Sequence, residues 1–526
     1  MKDDKSGHKQ GGLLKSTGIV SAFTMLSRVL GLVRDVVIAN LFGAGGGADA
    51  FFVAFKIPNF FRRLFAEGAF AQAFVPVLTE YRTQRDLAQV RMLVSYTAGT
   101  LGGVLLLLAV VCVTFAPAVT YVFAPGFHNL PEKFDLASDM LRLTFPYLLL
   151  ISMTAFMGSI LNSYGRFAAP ALTPVLLNVV LIGSAISLTP LMDPPVMALA
   201  WGVLAAGVVQ MVFQLPFIKQ IQMLTRPRWG WRDPGVKRIM KLMLPALFGV
   251  SVAQINLTLD TILASFLADG SISWLYYSDR LMELPLGVFG IAIATVILPS
   301  LSRKYASQSP EAFSHTLDWA VRMVLLIGVP ATLALVVLAK PMLVTLFQYG
   351  AFSPQDVERA SASLQAYSGG LLAFMLIKVL APGYFARQDT KTPVKVGIKA
   401  MVANMVFNLA LIFPLAHVGL ALATSLSAAM NAAMLYTGLR KDGVYQPDSG
   451  WLLYLIKLSV AAILMVVFIF YFNPASQLWL EWDWMQRTLQ LGLLVVGGGA
   501  VYFVALYVMG LRPQHLLAQR SLDDPD

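Results

Sequence analysis

The 526-residue chain has a single cysteine, Cys112, set in an apolar run. One cysteine excludes an intrachain disulfide and any cysteine metal cluster. Charge is also scarce: 13% of residues are Asp, Glu, Lys or Arg, about half the share of a soluble globular domain. The sequence contains no Walker A lysine loop, no HExxH and no CxxC, and its five histidines (His8, His128, His315, His417 and His515) are scattered through loops and span ends. The glycine runs Gly45–Gly47 and Gly497–Gly499 are not nucleotide loops. The second lies inside apolar sequence, where small residues serve helix packing. ATP hydrolysis is therefore excluded, and the expected driving force is a gradient, the membrane potential or downstream consumption. The polar N-terminus runs into apolar sequence without a small-residue cleavage site, so no cleaved signal peptide is read there.

Hydrophobic residues make up 57% of the chain and the mean hydropathy is +0.69. Apolar runs of about 20 residues, each long enough to cross a bilayer core of roughly 30 Å, recur along nearly the whole length. The expected spans are 17–40, 48–79, 92–122, 138–162, 170–190, 195–218, 240–268, 271–300, 318–339, 362–385, 394–415, 418–439, 452–472 and 486–510. The net charge of +11 is distributed by loop and does not form a nucleic-acid face. Alternate loops are basic, with the largest cluster from Lys219 to Lys241. Asp49, Asp193, Asp269, Glu481 and Asp483 dominate the others, where Lys133, Lys340 and Arg359 are exceptions. Basic loops stay cytoplasmic, so both termini are expected in the cytoplasm.

Three anchors repeat at nearly one offset. FVPVLTEY (74–81) resembles ILPSLSRKY (297–305), GRFAAP (165–170) matches RQDTKTP (387–393), and DVVIANLFGAG (35–45) resembles DTILASFLADG (260–270). The expected fold is an all-α polytopic membrane protein of about fourteen transmembrane helices. Two six-helix lobes, 1–222 and 223–440, form a parallel pseudo-repeat, and 441–526 adds two helices, a lipid-tail groove and a cytoplasmic tail. Parallel repeats of this kind belong to transporters whose central site lies between two lobes.

Charges at membrane depth are costly and normally face a cavity or a partner. Arg28 and Arg34 flank Gly31 in the first span. A six-residue separation turns about 240° on a straight helix, so they converge only if the helix bends at Gly31. Otherwise one snorkels and one pairs with Asp35. The second span carries Lys56, Arg62, Arg63 and Glu67, with Pro58 expected to kink it. Arg63 and Glu67 are spaced to neutralise each other, which leaves Arg62 and Lys56; the competing reading of Lys56 is a pair with Asp49. Span eight carries Asp279, Arg280 and Glu283. Arg280 is held there either by carboxylates or by a substrate. Asp260, in an apolar helix after Asn256, is a candidate sodium or proton ligand or a cap for a cavity arginine. Arginine suits bidentate recognition of phosphate, so these residues favour an anionic ligand, above all a diphosphate.

SRVLGLVRD, GGADAFFVAFKIPNFFRRLFAEGAFAQAFVPVL, YYSDRLMELPLGVFGIA and RQDTKTPVK resemble the signature segments of the MurJ/MviN lipid II flippases, within the multidrug/oligosaccharidyl-lipid/polysaccharide exporter superfamily. The resemblance covers essentially the whole chain. It implies a bacterial inner-membrane transporter, not an enzyme, that flips undecaprenyl-diphosphate-linked disaccharide-pentapeptide to the periplasmic leaflet by alternating access. By motif it places substrate contacts at Arg28, Arg34, Arg62 and Arg280, with Asp49, Lys56 and Glu283 as further candidates; some members have a sodium site in the second lobe, for which Asp260 is a candidate ligand without a complete matching set in this sequence. No cofactor is expected beyond a sodium or proton gradient or the membrane potential. The expected partners are lipid II and membrane lipids, with the cell-wall synthesis machinery as a candidate; a monomer is expected and nucleic acid is not. The alternatives are a flippase for another polyprenyl-diphosphate oligosaccharide, a small-molecule antiporter, which would want acidic residues in the first lobe, and a scaffold acting through the basic 219–241 loop.

Overall fold

The computed structural model describes residues 4–64 and 70–512, all of whose regular structure is helical. In the first half the helices are α1 (Asp4–Phe42), α2 (Gly46–Arg62), α3 (Phe70–Gln84), α4 (Leu87–Thr114), α5 (Ala116–Phe123), α6 (Pro131–Thr144), α7 (Tyr147–Ser163), α8 (Ala168–Leu188) and α9 (Met197–Gln220). There follow α10 (Pro234–Ala264), α11 (Ser271–Pro285), α12 (Ile291–Ala306), α13 (Pro310–Phe347), α14 (Pro354–Phe385), α15 (Lys391–Lys441), α16 (Trp451–Phe472), α17 (Ser476–Glu481) and α18 (Trp484–Val508).

The starts of these helices are written locally. The Asp86 carboxylate accepts from the Gln89 amide at 3.0 Å and opens α4, satisfying one of the orphan donors of the first turn. Ser353 and Asp356 form a reciprocal capping box on α14, and Asp483 and Gln486 form another on α18. Asp233 caps α10, with Pro234 in the first turn.

The repeat seen in the sequence returns in the helix starts. Leu87 and Pro310, Pro131 and Pro354, and Ala168 and Lys391 are three pairs at the same spacing of 223. Both copies also break one helix at the equivalent place. α2 runs through Pro58 to Arg62 and opens into a π-type turn at 63–64, while α11 ends at Pro285 before a π-turn over Leu286–Gly290. Pro58 is thus not where α2 breaks. The interruption comes at the arginine pair that follows it.

Nine helical segments among the described residues are long and apolar enough to cross a membrane. One of them, α15, holds two expected spans joined at Ala416 (φ 49°, ψ −127°). A Cβ on Gly419 would stand 2.3 Å from the Leu411 carbonyl oxygen, so the chain doubles back there over a glycine. The remaining expected spans coincide with α1, α2–α3, α10 and α11–α12, the helices that carry the candidate charges.

The chain divides into two compact units, Met1–Ser273 and Trp274–Asp526. In unit 1, Phe70, Phe74 and Phe156 pack ring to ring at 5.1–5.9 Å, in a core shared by α3, α4, α7 and α9. In unit 2, Tyr277, Phe347 and Phe352 form a similar cluster. Leu106, Leu107 and Val110 on α4 point outward; on a helix in hydrocarbon this is the lipid face, and packing comes from the small and aromatic residues opposite.

Candidate functional site

Charged groups inside the helices fall into two kinds. Those of the first kind are buried and surrounded by partners. Arg34, 4% exposed, donates from Nε and Nη2 to Oδ1 of Asp35 at 3.0 and 2.7 Å, and from Nη1 to Oδ1 of Asn178 at 3.1 Å. The Asn178 amide in turn donates to the Ser27 carbonyl of α1 at 3.0 Å. An ion pair in low dielectric repays its desolvation only when the remaining donors are also satisfied, and the carboxamide from α8 does that here. This contact fixes α8 against α1 and gives Arg34 the Asp35 pairing that the sequence left open.

Asp49 belongs to the same kind. Its Oδ2 accepts from Lys133 Nζ at 3.0 Å and from the Gly270 amide at 2.8 Å; its Oδ1 accepts from the Ser273 amide at 2.9 Å and the Ser273 hydroxyl at 2.7 Å. Four donors fill a carboxylate's acceptor capacity. Lys133 also reaches Asp269 Oδ1 at 2.7 Å and sits 4.2 Å from the Phe127 ring centroid. Lys133, an exception to the loop charge pattern, is therefore neutralised by two of the acids that define the pattern. Charge alternation alone could have flagged it. Asn178, an amide in an apolar run, was the other available signal.

Groups of the second kind are more open. Arg28 is half-buried on α1, and no hydrogen bond or ion pair engages it among the described residues. Lys56 is exposed and, with Val53, Ile57 and Phe60 of α2, lines a small pocket that also takes in Thr258 and Thr261 of α10. Arg62, the last residue of α2, donates from Nε to Asn59 Oδ1 at 2.9 Å. Asp260 is half-buried on α10, between those two threonines in sequence. No group of three or more His, Cys, Asp or Glu side chains is assembled for a metal among the described residues. Arg63 is exposed, and its expected partner Glu67 lies outside the described residues.

In unit 2, Arg280 is 38% exposed at its side chain and meets Glu283 at 3.4 Å, with its guanidinium 5.6 Å from the Tyr276 ring centroid. A contact that long, to a carboxylate 53% exposed, is weak. The guanidinium is thus partly accessible, with Glu283 beside it.

The sequence profile of the lipid II flippase MurJ family matches residues 38–489. The probable lipid II flippase MurJ of Vibrio cholerae serotype O1 is 53% identical over 513 residues, covering 96% of this chain and 98% of that protein. The Haemophilus influenzae protein of the same description is 51% identical over 509 residues, covering 94% and 100%. Among solved structures, a lipid II flippase MurJ in an inward closed conformation superposes with a TM-score of 0.79 at 26% identity, covering 93% of this chain and 98% of that one. An inward-facing MATE family transporter reaches a TM-score of 0.63 at 16% identity over 81% of this chain and 98% of its own, a likeness of fold alone. The chain belongs to the lipid II flippase MurJ family.

Proposed function

We propose that this protein carries lipid II across the bacterial inner membrane, from the cytoplasmic to the periplasmic leaflet, by alternating access. The observation that carries the reading is the match of the flippase family across residues 38–489. Basic side chains on α1, α2 and α11 that are not fully buried support it, because arginine suits bidentate recognition of a diphosphate. Arg28, Lys56, Arg62 and Arg280 are assigned as substrate contacts, with Glu283 beside Arg280. Arg34 and Asp49 are assigned to the walls, because their bonding capacity is committed to Asp35 and Asn178 and to Lys133, Gly270 and Ser273.

Both termini are placed in the cytoplasm, on the strength of the basic alternate loops. The prenyl tail stays in hydrocarbon, along the helices of 441–526. Resetting draws on the membrane potential or on a sodium or proton gradient, with Asp260 the candidate ion ligand. The protein is assigned to act as a monomer alongside the cell-wall synthesis machinery.

Depletion of the resident flippase in a host cell, with this gene as the replacement, tests the reading. Lipid II is then measured at the outer face of the membrane. Restored periplasmic lipid II supports the assignment. Correct insertion with no restored lipid II, but with rescue of another polyprenyl-diphosphate saccharide, moves the assignment to that carrier.

A further inference from the structure

The segment joining α9 to α10 does not hang free: part of it is laid along α4 as an extended strap. The Ser95 hydroxyl donates to the Arg226 carbonyl at 2.6 Å, the Arg228 amide donates to the Ser95 carbonyl at 3.0 Å, and the Gly230 amide donates to the Thr100 hydroxyl at 3.0 Å. Its bed is cut by two glycines one turn apart. A Cβ on Gly99 would meet the Arg228 carbonyl oxygen at 2.1 Å, and one on Gly103 would meet the Trp229 ring at 2.7 Å. A GxxxG pair ordinarily lets a second helix approach; here it seats an extended backbone and an indole.

The outer side of the strap is both aromatic and basic. Trp229 and Trp231 are stacked, their centroids 6.3 Å apart and their planes at 9°, yet they are 62% and 46% exposed. Arg226, Arg228 and Arg232 are exposed beside them. Tyr96, Trp229, Trp231 and Arg232 line an open groove of about 860 Å³. Asp233, at its edge, is turned to the α10 N-terminus, where it accepts the Val236 amide at 3.1 Å. The face of α4 that begins at Tyr96 and passes Gly99 and Gly103 continues one turn on into Leu107, which is 66% exposed. The groove thus lies on the face of α4 that continues into exposed apolar residues, and it combines stacked indoles with exposed arginines, the residue types that gather at an anionic leaflet's interface.

We propose that this groove is a binding site for an anionic phospholipid of the leaflet on the basic-loop side, its phosphate on Arg232 and its upper acyl chain against Trp229 and the Leu107 face. The site is independent of the transported substrate and uses none of the residues assigned to it.

The test is quenching of tryptophan fluorescence in the full-length protein in nanodiscs, with nitroxide-labelled phosphatidylglycerol or phosphatidylcholine at equal mole fraction. The difference between wild type and Trp229→Phe/Trp231→Phe isolates the two indoles from the other tryptophans. Stronger quenching of that difference by phosphatidylglycerol is expected. Arg232→Gln is expected to lower the preference about fivefold, with Arg228→Gln as the second variant should Arg232→Gln lose the folded protein. Equal quenching by the two lipids overturns the proposal, as does quenching by neither. Abolition of the preference by millimolar inorganic phosphate also overturns it, reassigning the groove to a free anion.

Discussion

Arg487 and Arg280 both sit in unit 2 and both read in sequence as arginines in membrane helices, yet they are treated in opposite ways. Arg487 at the start of α18 is 5% exposed, and no carboxylate pairs with it among the described residues. It donates to the carbonyls of Val344 at 3.2 Å and Gln348 at 3.0 Å, at the C-terminal end of α13, and to that of Leu480 at 3.0 Å. A helix C-terminus carries a partial negative charge and unsatisfied carbonyls, so the cation is neutralised by backbone and ties α18 to α13. Arg280 meets the exposed Glu283 at 3.4 Å and is itself 38% exposed at its side chain. Unit 1 repeats the contrast with Arg34, closed in by Asp35 and Asn178, and the half-buried Arg28 six residues earlier on the same helix. Deep burial against several acceptors marks a charge that builds the structure. The arginines proposed as substrate contacts, Arg28 and Arg280, are instead left partly exposed.

The contrast breaks most visibly where a closed charge loses its counterion. Asp35→Ala removes the carboxylate paired with the buried Arg34 and is expected to cost about 3–5 kcal/mol. It should reduce the amount of folded protein recovered from membranes, while paired replacement of Arg34 and Asp35 by apolar residues restores much of it. Asp49→Ala removes the acceptor of four donors. An expected loss of about 2–3 kcal/mol appears as a lower unfolding temperature in detergent, and Lys133→Met loses less because Gly270 and Ser273 still hold Asp49. Arg487→Met frees three carbonyls at about 1–2 kcal/mol and leaves transport per folded molecule unchanged.

Arg280→Ala sharpens the comparison from the other side. Stability should move by less than about 0.5 kcal/mol, while transport is lost. The smallest effect is expected at the exposed Glu80–Arg238 pair, 2.8 Å apart and outside the spans. The hydrogen bond from Arg238 holds the Glu80 carboxyl below its usual range. A lowered carboxyl contributes stability above its unfolded pKa and loses it as pH falls through the folded value. Because the pair stands in water, Arg238→Gln should leave the unfolding temperature unchanged at pH 7 and at pH 4.

Much of this was legible in the sequence. The spans of α16 and α18, the two-fold repeat and the candidate charges follow from apolar run length, a constant offset and the cost of charge at membrane depth. What sequence could not supply was which charges are already spent. Asn178 reaches Arg34 from 144 residues away, and Lys133 reaches Asp49 from 84. Neither spacing has a helical period to betray it. Arg487 drew no separate reading because nothing in its local sequence shows that it meets the carbonyls at the C-terminal end of α13. The end of α2 was not legible at Pro58: the helix runs through the proline and its α-form ends one turn later, at the arginine pair.

The most direct test is outer-leaflet lipid II accessibility in flippase-depleted cells carrying Arg62→Ala, Arg280→Ala or Arg487→Met at matched membrane abundance. The account predicts wild-type accessibility with Arg487→Met and none with Arg62→Ala or Arg280→Ala. Normal accessibility with Arg62→Ala and Arg280→Ala would contradict it, because the open arginines would then be no more functional than the closed ones.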